Sequence, residues 1–300
     1  MTADTAGFLA AAGDFLRADP ARNTVMLSVT EDLLLKAAAP GEMLFGWWQP
    51  DGDQVRAAFM HTPDYPLILS RVSGPAAAAL ARDLTADSGT GRRIPGVNVG
   101  QEAADAFAAA WRDRTGDVVA VYRRMRLFRL GELIPPGPWP EGTARLAAGT
   151  ERDLLARWFG AFAREVGDPP GQDHSKAAAG RLAYGGITVW EAGGVPVSVA
   201  GRTRAVAGMV RVGPVYTPPE LRGHGYAGAA TAAVSQAALD AGLREVVLYT
   251  DLANPTSNAL YQRLGYRPVE DRVVLSFTPA WQGLRFTRER TRGFRPAGRR

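Results

Sequence analysis

One loop of the sequence has the residue types needed to bind an anion. Between a strand expected to end near Tyr216 and an alanine-rich helix lie Arg222, Gly223, His224, Gly225, Tyr226 and Ala227. The first N–H groups of a helix lack internal partners and the helix dipole is positive there. Glycines at this point let a ligand approach the main chain, and an arginine can add a bidentate contact. The loop therefore predicts an anion site, above all for phosphate.

Two known phosphate-binding motifs do not fit this loop, and one structural alternative stays open. No Gly-Lys-Ser/Thr follows, so it is not a P-loop, and the glycine spacing does not fit the dinucleotide fingerprint. An ordinary glycine-rich turn in front of an alanine-rich helix is the structural alternative.

A second motif follows at a suitable distance. After a strand expected at 245–250, the chain reads Asn-Pro-Thr-Ser-Asn-Ala-Leu-Tyr over 254–261, then Leu-Gly-Tyr over 264–266. Together with Arg222-x-x-Gly225-x-Ala227, this run resembles the GNAT superfamily of N-acetyltransferases. Their two patterns are Gln/Arg-x-x-Gly-x-Gly/Ala and Asn-x-x-Ala-x-x-Leu-Tyr-x-x-x-Gly-Phe. Ser257 stands for the alanine and Tyr266 for the phenylalanine. The resemblance extends over about residues 142–278.

The resemblance implies acetyl-CoA as co-substrate and assigns roles to specific residues. The loop residues named above would hold the pyrophosphate. The backbone of Val215, Tyr216 and Thr217 would hydrogen-bond the pantetheine as an added strand. Because prolines cannot donate to a neighbouring strand, Pro214 and Pro218 suggest that the sheet splays open there; a simple strand end at Pro218 is the alternative.

The short helix after 254 places polar residues on one face. Asn254, Asn258, Tyr261 and Gly265 are spaced by four, three and four residues. Asn254 is expected to cap the helix, with Pro255 at its first position, and the resemblance adds contacts of Asn254 and Asn258 with the cofactor. By resemblance Tyr261 is the catalytic residue, a general acid that protonates the leaving thiolate; a half-buried core tyrosine is the alternative.

The expected reaction is direct transfer from acetyl-CoA to an amine. The chain contains no cysteine, which excludes an acyl-cysteine intermediate and disulfides. The central strand, expected at 206–216, has no carboxylate to act as a general base. Glu165, Asp168 and Glu191 are the alternatives, or a chain of waters. Asp168 and Asp173 are a weak indication of a cationic amine.

Composition limits the other function classes. Three scattered histidines predict no metal site. The net charge of +5 comes from the segment 285–300, whose seven arginines and one glutamate contribute +6. No apolar run reaches the ~20 residues of a membrane span, and the N-terminus has no signal-peptide pattern. We expect a cytoplasmic protein with a small-molecule amine acceptor and no membrane partner.

The order of elements predicts the fold class α/β (α+β mixed), with tandem GNAT-like domains. Each domain would have a mixed, mostly antiparallel central sheet flanked by helices. The N-terminal half shows helix, helix, three strands, helix, strand, helix, strand, which is the GNAT order without its first strand. Its equivalent strand-to-helix junction, 70–75, lacks the loop motif, so this half should not bind CoA. Many other α/β folds share such an order.

Four prolines in 135–140 mark the expected domain boundary. The expected domains are 1–134 (degenerate GNAT-like), 135–141 (linker), 142–280 (acetyltransferase) and 281–300 (arginine-rich tail).

Two further functions stay open at this point. The first is an acyl-CoA-binding regulatory or scaffold protein without turnover. The second is nucleic-acid binding through the tail, where Phe286 and Phe294 interleave with arginines. A disordered solubilising tail is the alternative that argues against nucleic acid as a partner. The sequence also leaves open a homodimer, the acceptor and the acyl chain length.

Overall fold

The computed structural model describes residues 1–35, 43–50, 52, 54–86 and 93–279. The expected arginine-rich tail lies outside these residues. The described helices are α1 (Thr5–Ala18), α2 (Thr24–Leu35), α3 (Gly74–Ala86), α4 (Gln101–Thr115), α5 (Arg152–Val166), α6 (His174–Leu182), α7 (Tyr226–Asp240) and α8 (Pro255–Arg263). The strands are β1 (Leu44–Trp48), β2 (Ala57–His61), β3 (Leu67–Leu69), β4 (Gly96–Gly100), β5 (Val118–Leu130), β6 (Thr143–Leu146), β7 (Ile187–Ala192), β8 (Val195–Arg202), β9 (Met209–Tyr216), β10 (Glu245–Asp251) and β11 (Tyr266–Thr278).

The described residues form two compact units. The first consists of residues 1–3, 43–124 and 272–279, and the second of 4–35 and 125–271. The expected boundary at 135–141 lies inside the second unit. The division is not contiguous in sequence because the last strand of each half pairs with strands of the other half. Residues 125–129 of β5 pair with β10, and residues 272–276 of β11 pair with β4.

The first unit has the strand order β1-β2-β3-β4-β11. Its pairs are antiparallel except β3 with β4, which is parallel and joined through α3. The core contains three stacked aromatic rings, since Trp111 lies 4.2 Å from Phe277 and 5.9 Å from Phe107. Alanines of α3 and α4 allow the two helices to pack closely on this core.

The second unit has the strand order β6-β7-β8-β9-β10-β5, and only β9 with β10 is parallel among the pairs described. Alternation along β8 sends side chains to opposite faces. Val199 packs with α5 and α6, whereas Ala200 packs with α7. The small residues of α7 let it lie close to the sheet. The predicted mixed, mostly antiparallel sheet flanked by helices is confirmed.

The N-terminal helices α1 and α2 belong to the second unit. Thr24, at the start of α2, is fully buried and donates to Met209 Sδ at 3.2 Å. Arg22 donates to the carbonyl of Val269 at 3.3 Å. The N-terminal half therefore supplies α2 as a wall over the central strand β9. No helix in the described part of the chain is both long enough and apolar enough to cross a membrane.

Candidate functional site

The central strands β9 and β10 diverge halfway along their length. Their parallel register runs from Met209↔Glu245 to Val212↔Leu248 and ends there, although both strands continue. Opposite this point the β8–β9 register shifts, because Ala200 pairs with Val215 and Arg202 with Val212. β9 therefore contains one extra residue, a bulge that bends it away from its neighbour.

The bulge contains Pro214, one of the two prolines expected to open the sheet. Gly213 has a φ of +148°, and Pro214 has no N–H to offer to β10. Beyond the bulge, β9 pairs with β8 and no longer with β10. The expected opening next to Pro214 is thus present between the carboxyl ends of β9 and β10.

The chain returns to a helix through the glycine loop. Gly223 and Gly225 have φ values of +84° and +82°, in the left-handed region that favours glycine. Gly225 is the N-cap of α7 and offers no side chain to the first N–H groups of that helix. A Cβ on Gly223 would meet nothing within 4 Å, and one on Gly225 would meet only Pro140, at 3.8 Å. The start of α7 is therefore left without a side-chain cap next to two glycines that lack bulk of their own.

Arg222 takes a different position from the one expected for a phosphate contact. Its Nε donates to the carbonyl of Thr217 at 2.9 Å, and its Nη2 reaches Glu165 at 2.7 and 2.9 Å. The guanidinium also lies 5.8 Å from the ring centroid of Tyr216. In this structure Arg222 therefore fastens the loop to the end of β9 and to α5.

Two aromatic residues flank the start of α7. The rings of His224 and Tyr226 stack at 5.5 Å with an interplanar angle of 14°. The imidazole Nδ1 of His224 lies 3.3 Å from the carbonyl of Leu221. Ala227 in the first helical turn accepts a hydrogen bond from Thr231 Oγ1 at 2.8 Å. The rings of His224 and Tyr226 present a flat aromatic surface beside the glycine loop.

The end of β9 is held by a buried pair of hydroxyl groups. Ser198 Oγ lies 2.8 Å from Thr217 Oγ1 and donates to the carbonyl of Tyr216 at 3.1 Å. Val215 and Tyr216 pair with β8. The carbonyls of Tyr216 and Thr217 thus already have protein partners, and any cofactor contact in this stretch would use the remaining backbone groups.

The short helix α8 begins as predicted. Asn254 is its N-cap and accepts from the N–H of Ser257 at 3.0 Å, with Pro255 in the first turn. Asn258 Nδ2 donates to the carbonyls of Asp251 (2.8 Å) and Asn254 (2.7 Å), so this amide fixes the turn between β10 and α8. The predicted cap is confirmed, and the polar contact of Asn258 is with the backbone.

Tyr261 lies with its ring buried, and its hydroxyl differs from that of the neighbouring Tyr266. The residue is 8% exposed, and its ring meets that of Tyr266 edge-on at 6.0 Å. The hydroxyl of Tyr266 is engaged with Ser235 Oγ at 2.7 Å, whereas that of Tyr261 has no hydrogen-bond partner among the described residues. Burial raises the pKa of Tyr261 to about 12. The phenol is therefore a protonated donor at neutral pH.

Two of the three proposed bases, Glu165 and Glu191, are paired with arginines. Glu191 accepts from Arg145 at 2.6 Å, and Glu165 pairs with Arg222. Asp173 caps α6 by accepting from the N–H of Lys176 at 2.9 Å. Neither glutamate is an unpaired carboxylate in this structure.

Sequence analysis missed the proline-rich segment as part of this region. A Cβ on Gly228 would meet Leu260 at 3.1 Å and Pro136 at 4.0 Å, and Pro140 lies close to Gly225 as described. Trp139 stacks on Trp190 at 5.6 Å. The segment therefore passes along the start of α7, within the second unit. The glycine and proline composition of both stretches gave no signal of their proximity.

Comparison with known proteins agrees with this geometry. Residues 152–266 match the model of the acetyltransferase (GNAT) family. A GCN5-related N-acetyltransferase from Sphaerobacter thermophilus has a similar structure, with a TM-score of 0.58 and 19% identity over 83% of this chain and 85% of that one. Another from Kribbella flavida gives a TM-score of 0.50 and 23% identity over 74% and 86%.

The structural similarity extends into the N-terminal half. A Drosophila protein from structural genomics has a TM-score of 0.62 and 12% identity, covering 92% of this chain and 96% of its own. Curated protein sequences give no significant match. These likenesses show the fold, and the family match covers the bulge, the glycine loop and α8. Residues 152–266 therefore match the acetyltransferase (GNAT) family model, and the fold of the N-terminal half is also similar to GNAT structures.

Proposed function

We propose that the second unit binds acetyl-CoA and transfers its acetyl group to an amine of a small molecule or an amino-acid-like acceptor. The observation that carries the proposal is the divergence of β9 and β10 directly before an uncapped helix start. The opening offers backbone groups to an extended pantetheine, and the glycine loop offers N–H groups to a pyrophosphate.

Each part of the site has a chemical role. The loop 222–227 binds the pyrophosphate, with Arg222 as its anchor, and the end of β9 binds the pantetheine. A backbone N–H near the bulge polarises the thioester carbonyl. The amine nitrogen attacks this carbonyl, a C–N bond forms and the C–S bond breaks. The sulfur takes a proton from Tyr261, which regains one from the acceptor nitrogen through solvent.

The proton balance needs no carboxylate base from the protein. Glu165 and Glu191 pair with arginines, so an acceptor that enters as the neutral amine, or loses its proton to water, is consistent with the site. A binding protein without turnover is not favoured, because it gives no reason for a Tyr261 hydroxyl that lacks a hydrogen-bond partner in the described part of the chain.

Calorimetric titration with acetyl-CoA tests the cofactor site. We compare the wild type with Gly225→Trp, which puts an indole into the space for the pyrophosphate. Gly242→Trp is the matched control, because Gly242 follows the other end of α7, has a similar φ of +77° and faces open space. We expect micromolar binding that is lost in Gly225→Trp and kept in Gly242→Trp. Binding that survives Gly225→Trp would overturn the site.

Turnover is measured separately, as CoA thiol released in the presence of a panel of amines. Acetyl-CoA binding without release for any amine would leave the cofactor site and remove the transferase activity.

A further inference from the structure

The central strand β9, which has no carboxylate, contains one positive charge. Arg211 is the only charged residue of β9. Its neighbours Val210 and Val212 pack with α7, so Arg211 points to the opposite face. Its Nη1 donates to Thr24 Oγ1 at 3.3 Å, and among the described residues no carboxylate lies within ion-pair distance. Burial lowers its pKa to about 10, which leaves it charged at neutral pH.

Other arginines lie near the side chain of Arg211. Arg181 and Tyr184 are close enough to act on the charge of Arg211, and Arg202 and Arg204 act on Tyr184. The guanidinium of Arg204 stacks 4.3 Å from the ring centroid of Tyr184. We call Arg181, Arg202, Arg204 and Arg211 the arginine cluster.

The arginine cluster has fewer negative charges than positive ones. The carboxylate that acts on it is Asp32 of α2, which is 3.8 Å from Arg204. Arg181 Nε is buried and has no hydrogen-bond partner among the described residues. The four arginines are half-buried, and a cation that has lost part of its hydration is stabilised by an anionic partner. An excess of arginines with free donors therefore points to an anion that is supplied from outside the chain.

The cluster lies next to the bulge along β9. Arg211 is two residues before Gly213, where β9 leaves β10, which is about 7 Å along a strand. Thr24 and Asp32 place α2 over the same face. A ligand group held by Arg211 would therefore be within the length of a small molecule from the bulge.

We propose that the acceptor carries an oxyanion, a carboxylate or a phosphate, and that Arg211 and Arg181 bind it. The proposal rests on the proposed transferase function and names its acceptor class. The planar fork of arginine matches both oxyanions, so the experiment includes both. The acceptor would present its amine to the thioester and its oxyanion to the arginine cluster.

The test compares matched pairs of amines that differ by one charge. Three pairs test a carboxylate: glycine, alanine and phenylalanine, each compared with its carboxamide. One pair tests a phosphate: phosphoethanolamine compared with ethanolamine. Thiol release is measured for the wild type, Arg211→Met, Arg211→Lys and Arg157→Met, where Arg157 is an exposed residue of α5. We expect kcat/KM of the wild type to favour one anionic series by at least tenfold. Arg211→Met should lose this preference through a higher KM, Arg211→Lys should restore part of it, and Arg157→Met should keep it.

Two independent readouts separate this inference from the proposed function. Acetyl-CoA affinity is measured by calorimetry for every variant and should not depend on Arg211. Thermal unfolding is followed with sodium acetate, sodium phosphate or sodium chloride at equal ionic strength, in the wild type and in Arg211→Met. We expect acetate or phosphate to raise the Tm more in the wild type. If Arg211→Met does not fold, Arg211→Lys and Arg181→Met serve in its place.

The outcomes are distinct. Acetyl-CoA binding with equal turnover of both members of every pair would overturn the oxyanion site and leave the transferase. Failure to bind acetyl-CoA, with stabilisation by an oxyanion that depends on Arg211, would remove the transferase and leave the site. Equal stabilisation of the wild type and the variants by all three salts would also overturn the site.

Discussion

The two units share one arrangement of strands and helix, but the strand ends are open in the second unit and filled in the first. In both, two parallel strands are joined by a helix, β3–α3–β4 in the first unit and β9–α7–β10 in the second. In the second unit the strands separate at a bulge. In the first, the guanidinium of Arg272 lies at the ends of the strands and donates to the carbonyls of Leu69 (2.6 Å) and Asn98 (2.9 Å). The position that could hold a ligand backbone is therefore filled by a side chain of the protein.

The starts of α3 and α7 also differ, one being capped by a side chain and the other not. In the first unit the hydroxyl of Ser73 accepts from the N–H of Ala76 at 3.4 Å, so a side chain partly satisfies the start of α3. In the second unit α7 begins at Gly225 without a side-chain cap. The comparison teaches that the shared topology provides a place for a cofactor, and that a few side chains decide whether it is left open.

The helices after the parallel strands differ as well. On α4, Trp111 donates through Nε1 to Asp117 at 3.0 Å and stacks on Phe277. On α8, Tyr261 is equally buried but its hydroxyl has no partner among the described residues. The first is a satisfied core residue, and the second has a donor left for a ligand.

The largest effect should follow from Tyr261→Phe. If the phenol protonates the leaving thiolate, its removal should lower kcat by about 10²–10⁴-fold and leave the affinity for acetyl-CoA unchanged. Steady-state thiol release and calorimetry measure the two quantities. Tyr122→Phe, an exposed tyrosine of β5, is the control and should keep full activity. A Tyr261→Phe enzyme with normal kcat would make this tyrosine a core residue like Trp111.

Arg272→Met should destabilise the first unit. The change removes the donor to the buried carbonyl of Leu69 and to the partly buried carbonyl of Asn98, and a buried orphan costs about 1–3 kcal/mol. We expect the free energy of unfolding in urea to fall by roughly 3 kcal/mol, against almost no change for the exposed Arg157→Met. The acetyl-CoA affinity and a stoichiometry of one per chain should stay the same. A second bound acetyl-CoA in Arg272→Met would mean that this arginine alone closes the first unit.

Local patterns were sufficient to predict the elements and the loop. The loop motif predicted glycines in front of an alanine-rich helix, and Gly223 and Gly225 precede α7 with positive φ values. The Asn-Pro pair predicted the start of α8. In each of these cases the physical cause lies within a few residues of its effect.

Contacts between distant residues could not be predicted in the same way. Arg272 reaches Leu69 across 203 residues, Arg211 reaches Thr24 across 187, and Arg222 reaches Glu165 across 57. The exchange of β5 and β11 between the halves depends equally on long-range pairing, so the expected contiguous domains do not match the two units. An arginine in a sequence does not reveal whether a carbonyl, a carboxylate or a ligand will be its partner.

The pH dependence of activity should distinguish the buried phenol from an ordinary one. Since burial raises the pKa of Tyr261 from about 10 in the unfolded chain to about 12, the neutral phenol is the form that the fold favours. Its contribution to stability is complete below about pH 10 and is lost as the pH rises from there through about 12. We expect the kcat profiles of the wild type and Tyr261→Phe to have the same shape between pH 6 and about 10, and to differ only in height. An alkaline limb below pH 10 that is present only in the wild type would contradict this.

The smallest effects should come from the two exposed arginine–glutamate pairs beside the helix starts. Arg222 and Glu165 are 47% and 45% exposed, and Arg71 and Glu102 in the first unit are 60% and 58% exposed. Such pairs contribute about 0–1 kcal/mol. Glu165→Gln should therefore change the affinity for acetyl-CoA by less than about fivefold, and Glu102→Gln should not change it at all.

Arg222→Met should weaken binding more than Glu165→Gln, because it also removes the hydrogen bond from Nε to Thr217 that holds the loop to β9. Equal effects of Arg222→Met and Glu165→Gln in calorimetry would show that the ion pair, and not the bond to the strand, fixes the loop.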